Sequence, residues 1–332
     1  MTAPNPVRPT PRAVVRGVGH YLPERVVDNE WFATFLDTSD DWIESRSGIK
    51  RRHFAAEGQK TSDLAIAASR AALADAALAP DDIDAIILAT STPDLTFPAT
   101  ATIVQAGLGM TRGFAFDVQA VCAGFVFALA NANALILSGQ AKRVLVIGAE
   151  TFSRILNWED RSTCVLFGDG AGALILEAAE GDGSSADRGI LATDLHSDGR
   201  YRDILQVSGG VSSTQTAGHL MMAGKEVFRH AVEKLAQSTI DVLARAGVTS
   251  AEIDRVVPHQ ANIRIITRTA QKLDVPMDKV VVTVPEHGNT SAASIPLAMS
   301  TAKGRGELRT GDLVVTEAIG GGLAWGAAVM RW

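Results

Sequence analysis

Short apolar runs alternate along this chain with longer apolar or amphipathic stretches, and turn residues separate them. Gly113-Phe-Ala-Phe-Asp117-Val-Gln119 is short, apolar and aromatic, which predicts a strand. The stretch from Ala123 to Leu137, AGFVFALANANALIL, predicts a helix that stops at Ser138-Gly139. It is apolar nearly all round, so this helix belongs in the middle of the protein. Strand patterns cover Val144 to Glu150, Gly172 to Leu176, Leu313 to Ile319 and Gly326 to Met330, and a further helix is predicted from Ala292 to Ala302.

The pattern repeats. A helix end, a turn and a strand start occupy Ala74 to Leu88, and again Leu243 to Val257; Ile253 minus Ile83 is an offset of 170. Leu313 lies 169 after Val144. The strand-to-helix corner at Cys122 has its expected counterpart in Val280 to Asn289, and Asn289 minus Cys122 is 167. Offsets near half the chain length point to a duplicated α/β half, each half with mixed or parallel sheets covered by helices. The expected division is a loose tail at 1–12, a first half at 13–179 and a second at 180–332.

Composition narrows the class. With 332 residues, 46% hydrophobic and 20% charged, the chain has ample core for about two domains' worth of structure. Two cysteines, Cys122 and Cys164, give no disulfide framework and point to a reducing compartment, the cytoplasm. The start is proline-rich without an apolar run, and no apolar stretch reaches bilayer-spanning length, so no membrane association is expected. A net charge of −6 disfavours nucleic acid. The histidines are scattered without metal-ligand spacing. The glycine runs Gly168-Asp-Gly-Ala-Gly172 and Gly320-Gly-Gly322 precede strand-like stretches, which makes them turn glycines and not a phosphate loop.

Three corners carry chemistry. Cys122 sits where a strand hands over to a helix; unpaired N–H groups and the helix dipole there favour the thiolate, which is the nucleophile. Cys164, in a hydrophobic strand-like run, reads as inert and buried. His259 follows the strand pattern ending at Pro258, and Asn289 precedes the Ala292–Ala302 helix. Alone, the three could be a buried hydrophobe, a core histidine and a helix cap. At matching corners of a duplicated fold they read better as one site. Cys122 would hold an acyl group as a thioester, with backbone N–H groups at Cys122 and Gly321 for the oxyanion. His259 Nε2–H and the Asn289 amide would hold the carbonyl oxygen of a second thioester. Two neutral donors suit an enolate made by loss of carbon dioxide, so the set fits decarboxylative carbon–carbon bond formation better than hydrolysis.

At Ala120-Val-Cys122-Ala-Gly-Phe, Phe167-Gly-Asp-Gly-Ala-Gly172, Val257-Pro-His259-Gln-Ala-Asn-Ile-Arg264, His287-Gly-Asn289-Thr-Ser-Ala-Ala-Ser and Gly320-Gly-Gly-Leu-Ala-Trp-Gly326 the sequence resembles β-ketoacyl-acyl carrier protein synthase III. The resemblance implies a thiolase-like α/β fold, two βαβαβαββ halves in five α-β-α-β-α layers, and a homodimer. It implies a condensation of an acyl-coenzyme A primer, acetyl first among candidates, with malonyl-acyl carrier protein. It implies no resident cofactor or metal. Carried over by position, Cys122, His259 and Asn289 are catalytic. Coenzyme A contacts fall on Thr38, Trp42, Arg46, Arg161, Gly224, Phe228 and Ala261, with Trp42 and Arg161 sandwiching the adenine. Lys225 stands where some relatives carry Asn. Phe97, Ile319 and Leu323 fall on the acyl pocket, Phe97 reaching across the dimer. Gln260, Ala261, Asn262, Ile263, Arg264, Arg268 and Lys272 fall on the face that docks the carrier protein; the last three basic residues share one helix face by their spacing of four. A ketide synthase or acyltransferase of specialised metabolism is the rival on the same fold. A non-catalytic carrier-binding homologue and a Cys–His hydrolase fit the residues less well, and a thiolase would need a second catalytic cysteine that does not follow Cys164.

Overall fold

A computed structural model describes residues 10–332. Two sheets form its frame. The first contains β1 (Thr10–Tyr21), β2 (Ala85–Ala89), β3 (Phe114–Val118), β4 (Arg143–Glu150) and β5 (Gly170–Gly181), in the order β1-β5-β4-β2-β3. The second contains β6 (Gly189–Ser197), β7 (Arg255–Pro258), β8 (Leu313–Gly320) and β9 (Ala324–Arg331), in the order β6-β9-β8-β7. The orders match strand for strand, and so do the directions: β2 and β4 run parallel, as do β7 and β8, while β4–β5 and β8–β9 are antiparallel. The strand expected from Val280 onward does not form. Its place beside β7 holds only one isolated bridge, Val256 to Val280. The first strand already starts at Thr10, so residues 10–12 of the expected tail are paired against β5; the rest of that tail lies outside the described residues.

Five layers follow from how strand residues alternate. In β2, Ile86 and Leu88 face a cluster shared with helices α1 (Thr61–Ala76) and α2 (Thr100–Leu108), while Ile87 and Ala89 face the centre. In β8, Leu313 and Val315 face outward to α4 (Gly224–Ala246) and α5 (Ile263–Lys272), and Val314 faces the centre. The central layer is α3 (Gly124–Leu137) and α6 (Ser294–Gly304). Helix α3 has no side-chain cap and no charged residue in its end turns. Burial holds it instead: Phe125, Val126 and Leu129 are all inaccessible to solvent, and each contributes about 1.5–3 kcal/mol.

The two halves meet through glycines. A Cβ on Gly148 of β4 would lie 2.2 Å from the carbonyl oxygen of Ala292, and one on Gly172, its cross-strand partner, 2.5 Å from the amide nitrogen of Leu297. On the other sheet, a Cβ on Gly320 would lie 2.6 Å from the amide nitrogen of Cys122. Ala292 is 170 positions after Cys122, so the contacts are reciprocal: each half's sheet takes in the other half's elbow. The backbone at these points cannot yield as a side-chain tip would. Gly148→Ala is expected to cost about 1–3 kcal/mol of stability by overpacking. Denaturant titration checks it; an unchanged midpoint and slope would mean that the elbow moves aside freely.

Candidate functional site

The elbows share a strained residue. Val121 and Ser291 both have φ of +49°, a value that β-branched and other non-glycine residues rarely hold. Each starts a tight single turn, Val121–Ala123 or Ser291–Ala293, that leads directly into a central helix. This match sets the true register of the duplication at 170. Cys122 therefore corresponds to Ala292, and Asn289 to Gln119; the expected equivalence of Cys122 with Asn289 is three residues out. Cys122 and Asn289 thus come from non-equivalent positions of the two elbows, and each adjoins Ser291.

Around the Ser291–Ser294 turn the three corner residues converge. The Asn289 Oδ1 accepts from the Ser291 N–H at 2.9 Å, which leaves the Asn289 amide nitrogen as the free donor. The His259 Nδ1 lies 2.6 Å from Ser294 Oγ, and that oxygen already accepts from the Gln260 N–H at 3.2 Å. Among the described residues Nδ1 is the one acceptor within reach of the buried Ser294 hydroxyl, so the hydroxyl is assigned as its donor and the imidazole proton is assigned to Nε2. Burial pushes His259 down to about 3, so the ring is neutral. The Ser291 hydroxyl lies close enough to Cys122 and to Glu150 to favour the charged form of both, yet it has no partner in hydrogen-bonding geometry. Cys122, His259 and Asn289 are all buried.

The preformed thiolate is not found. Burial pushes the Cys122 thiol up to about 12, with the charge of Glu150 adding to the shift and the nearby Ser291 hydroxyl opposing it. Cys122 also lies one residue into the tight turn, ahead of the first residue of α3, and desolvation outweighs what the helix end supplies. Cys164 is free and buried as expected, although it sits in a turn and not a strand; burial pushes its thiol to about 11.

Glu150, Ser291 and Ser294 were not singled out by the sequence. Glu150 is fully buried at the end of β4 and accepts from the Ser91 N–H and from the Thr90 and Thr92 hydroxyls. Burial raises it to about 7. The signal that finds Ser291 is the 170 register, which sets it opposite Val121; nothing in the sequence marks Glu150.

The entrance residues lie on another set of elements. The helix Asp40–Ser47, capped by Ser39, carries Trp42 half-buried and Arg46 exposed one turn on. A buried network fixes it: the Arg52 guanidinium donates to Asn29 Oδ1 and to the carbonyl of Val165, and the Asn29 amide donates to Asp40 Oδ1. The same guanidinium thereby ties this helix to the loop that carries Arg161. The Arg46 and Arg161 guanidiniums both lie over the Trp42 ring, at 4.6 and 5.2 Å from its centre. The Thr38 hydroxyl is buried without a partner. Phe228 and Ala261 pack in one apolar cluster with Ile319 and Leu323, and the Arg264 guanidinium stands 5.6 Å over the Phe228 ring. Gly224 and Lys225 are exposed in the first turn of α4.

Two groups of expectations need correction. Gln260 cannot dock a partner: its side chain is buried, donating to the carbonyls of Pro258 and Val281 and accepting from the N–H groups of Thr283 and Val284. Asn262 caps α5 through Ile265, and Ile263 packs against Gly48, so the exposed part of that face is Arg264, Arg268 and Lys272. An open cleft of about 1590 Å³ reaches Val121 and Gly321–Leu323, with Leu95 on its rim. Leu323 lines it; Ile319 does not and belongs to the cluster beside Phe228. Phe97 is 83% exposed, so within this chain it lines no pocket.

Residues 116–199 match the family model for 3-oxoacyl-[acyl-carrier-protein (ACP)] synthase III, and residues 243–332 match the model for its C-terminal part. The beta-ketoacyl-[acyl-carrier-protein] synthase III of Cereibacter sphaeroides is 71% identical over 323 residues, 97% of this chain and 100% of that one. The protein of the same name from Ruegeria pomeroyi is 73% identical over 321 residues, 97% of this chain and 99% of that one. The crystal structure of 3-oxoacyl-[acyl-carrier-protein] synthase III from Aquifex aeolicus superposes with a TM-score of 0.91 at 44% identity, covering 96% of this chain and 100% of that one.

A thiol held near 12 stays protonated through neutral pH. Alkylation of the free protein by iodoacetamide at Cys122 is therefore expected to climb about tenfold per pH unit past pH 9 without levelling. A plateau between pH 6 and 8 in the modified peptide, followed by mass spectrometry, would contradict that state.

Proposed function

This chain belongs to the 3-oxoacyl-[acyl-carrier-protein] synthase III family, and we propose that it joins an acyl-coenzyme A primer to malonyl-acyl carrier protein with loss of carbon dioxide. The observation that carries the reading is the pair of uncharged donors, His259 Nε2–H and the Asn289 amide, on the turn that also adjoins the Cys122 thiol.

In the first half-reaction the Cys122 sulfur attacks the thioester carbon of the primer. The carbon–sulfur bond to coenzyme A breaks, and the thiol proton ends on the leaving sulfur. Backbone N–H groups at Cys122 and Gly321 are the candidates for holding the oxyanion, and the glycine at 320 lets the sheet end approach Cys122 closely. In the second, the malonyl thioester oxygen takes hydrogen bonds from His259 and Asn289. Breaking the bond to the carboxylate releases carbon dioxide and puts an electron pair on the enolate. Neutral donors hold that charge without quenching the carbanion, because a ring lowered to about 3 gives up no proton at neutral pH. The carbanion attacks the acyl-Cys carbonyl, the bond to Cys122 breaks, and the released thiolate takes up a proton from solvent.

The entrance supports the same reading. Trp42, Arg46 and Arg161 form an aromatic and cationic group suited to the nucleotide end of coenzyme A, with the unpartnered Thr38 hydroxyl close in sequence. Arg264, Arg268 and Lys272 offer an acidic carrier protein a positive face beside Phe228. A homodimer would cover the exposed Phe97 and let it reach the partner's cleft. A priming β-ketosynthase of a polyketide pathway, 34% identical with a TM-score of 0.89, keeps the specialised-pathway acceptor as the second reading.

Mixing the protein with acetyl-coenzyme A alone is expected to leave one acetyl group on the Cys122 peptide, and Cys122→Ala to leave none. Malonyl-acyl carrier protein added next is expected to remove the label as a β-ketoacyl product. No label with acetyl- or longer donors would overturn the assignment. Arg264→Glu is expected to raise KM for the carrier-bound substrate roughly tenfold and leave loading from coenzyme A thioesters alone; equal effects on both steps would remove Arg264 from the docking face.

A further inference from the structure

Arg161 is held by an acid that none of the site residues accounts for. Its Nη1 donates to the backbone carbonyl oxygen of Asp37 and lies 3.2 Å from the Asp37 carboxylate. The Asp37 side chain is fully exposed, so it takes no part in packing, and Arg161 is its one ion-pair partner among the described residues. In this position the Arg161 guanidinium is 5.2 Å from the centre of the Trp42 ring, with the Arg46 guanidinium at 4.6 Å. A purine lying flat between the indole and a guanidinium needs ~7 Å, two contacts of ~3.5 Å each. The slot between Trp42 and Arg161 is therefore too narrow for a base. Neither guanidinium is walled in, since both arginines are exposed, and Arg161 is kept down by its two contacts to Asp37, the backbone carbonyl and the carboxylate, of which only the carboxylate carries charge.

We propose that Asp37 is a latch on Arg161, an internal anion that a phosphorylated purine nucleotide must displace before its base can slide between Arg161 and Trp42. The proposal rests on the reading of Trp42 and Arg161 as the coenzyme A nucleotide site. The exchange is between like contacts: the guanidinium gives up a carboxylate and gains a phosphate. A purine ligand without a phosphate offers Arg161 no replacement charge, so the latch favours a phosphorylated nucleotide over a bare nucleoside, and a pantetheine arm without a base leaves it closed. Asp37 is in this account a positioning residue that acts through Arg161 and touches no reacting atom.

Exposed ion pairs are weak, so the effect is modest and sensitive to salt. The test is calorimetric titration with free coenzyme A at low ionic strength, on wild type, Asp37→Ala, Asp37→Glu, Arg161→Ala, the Asp37→Ala/Arg161→Ala double variant and Trp42→Ala. Asp37→Ala is expected to tighten binding about two- to fivefold, a gain that shrinks in high salt; Asp37→Glu keeps the latch and binds like wild type. The gain disappears in the Arg161→Ala background, because without the guanidinium there is nothing to latch. A supporting role for Asp37 would move affinity the other way, so weaker or unchanged binding by Asp37→Ala overturns the latch. Trp42→Ala separates this from the underlying site: if that change leaves coenzyme A binding untouched, the nucleotide binds elsewhere and both ideas fall, whereas weakened binding there with no gain in Asp37→Ala overturns the latch alone.

Discussion

Two backbone elbows packed into each other's sheets organise this protein. Gly320 at the end of β8 leaves room for the amide of Cys122, and Gly148 on β4 leaves room for the carbonyl of Ala292. Each contact is backbone against backbone, so neither half can shift relative to the other without opening the centre. The same contacts bring the strained turns at Val121 and Ser291 against one another, and the chemistry is assembled between them. Strain of that kind persists only where surrounding packing over-determines it, and the buried central helices supply the packing.

The site uses the duplication without being symmetric. The first elbow contributes its thiol from the position after Val121; the second contributes Asn289 from two positions before Ser291 and orients His259 through Ser294, three positions after it. One turn of the second half thus contacts both polar groups while its first hydroxyl adjoins the Cys122 thiol. Glu150 adds a carboxyl that binds the Thr90–Thr92 loop and approaches Ser291, linking the first half's interior to the second half's elbow. The interior thus presents neutral donors, while the rim presents cations. Arg52, itself buried and lowered to about 10 by desolvation, connects the entrance helix to the Arg161 loop without meeting the reaction centre.

Much of this was legible from apolar patterning and spacing. The buried helix after Cys122, the repeated strand order and the three corner residues follow from the sequence because they depend on local patterns and on one offset. The register slipped where pattern gave way to geometry: Val280 to Val282 looks like a strand, but the chain there makes one bridge and turns into the Val284–His287 helix. The thiolate expectation missed because helix position can be read from sequence, whereas depth of burial belongs to the folded whole. Gln260 shows the same limit from the other side. The family resemblance put it on the docking face, yet its amide is spent on four backbone groups of the interior. Asp37 is one acid among many in the sequence, and only the closeness of Arg161 and Trp42 gives it meaning.

The protonated state of Cys122 has a bearing on survival as well as on reactivity. Oxidation of cysteine follows thiolate character and exposure, and this side chain is low in both. In the proposed reading of Cys122 as the acyl-accepting nucleophile, an open thiolate would be exposed to loss to peroxide and other electrophiles. The buried elbow instead holds the sulfur as a thiol out of solvent. The packing that builds the elbow therefore also shields this sulfur from oxidants.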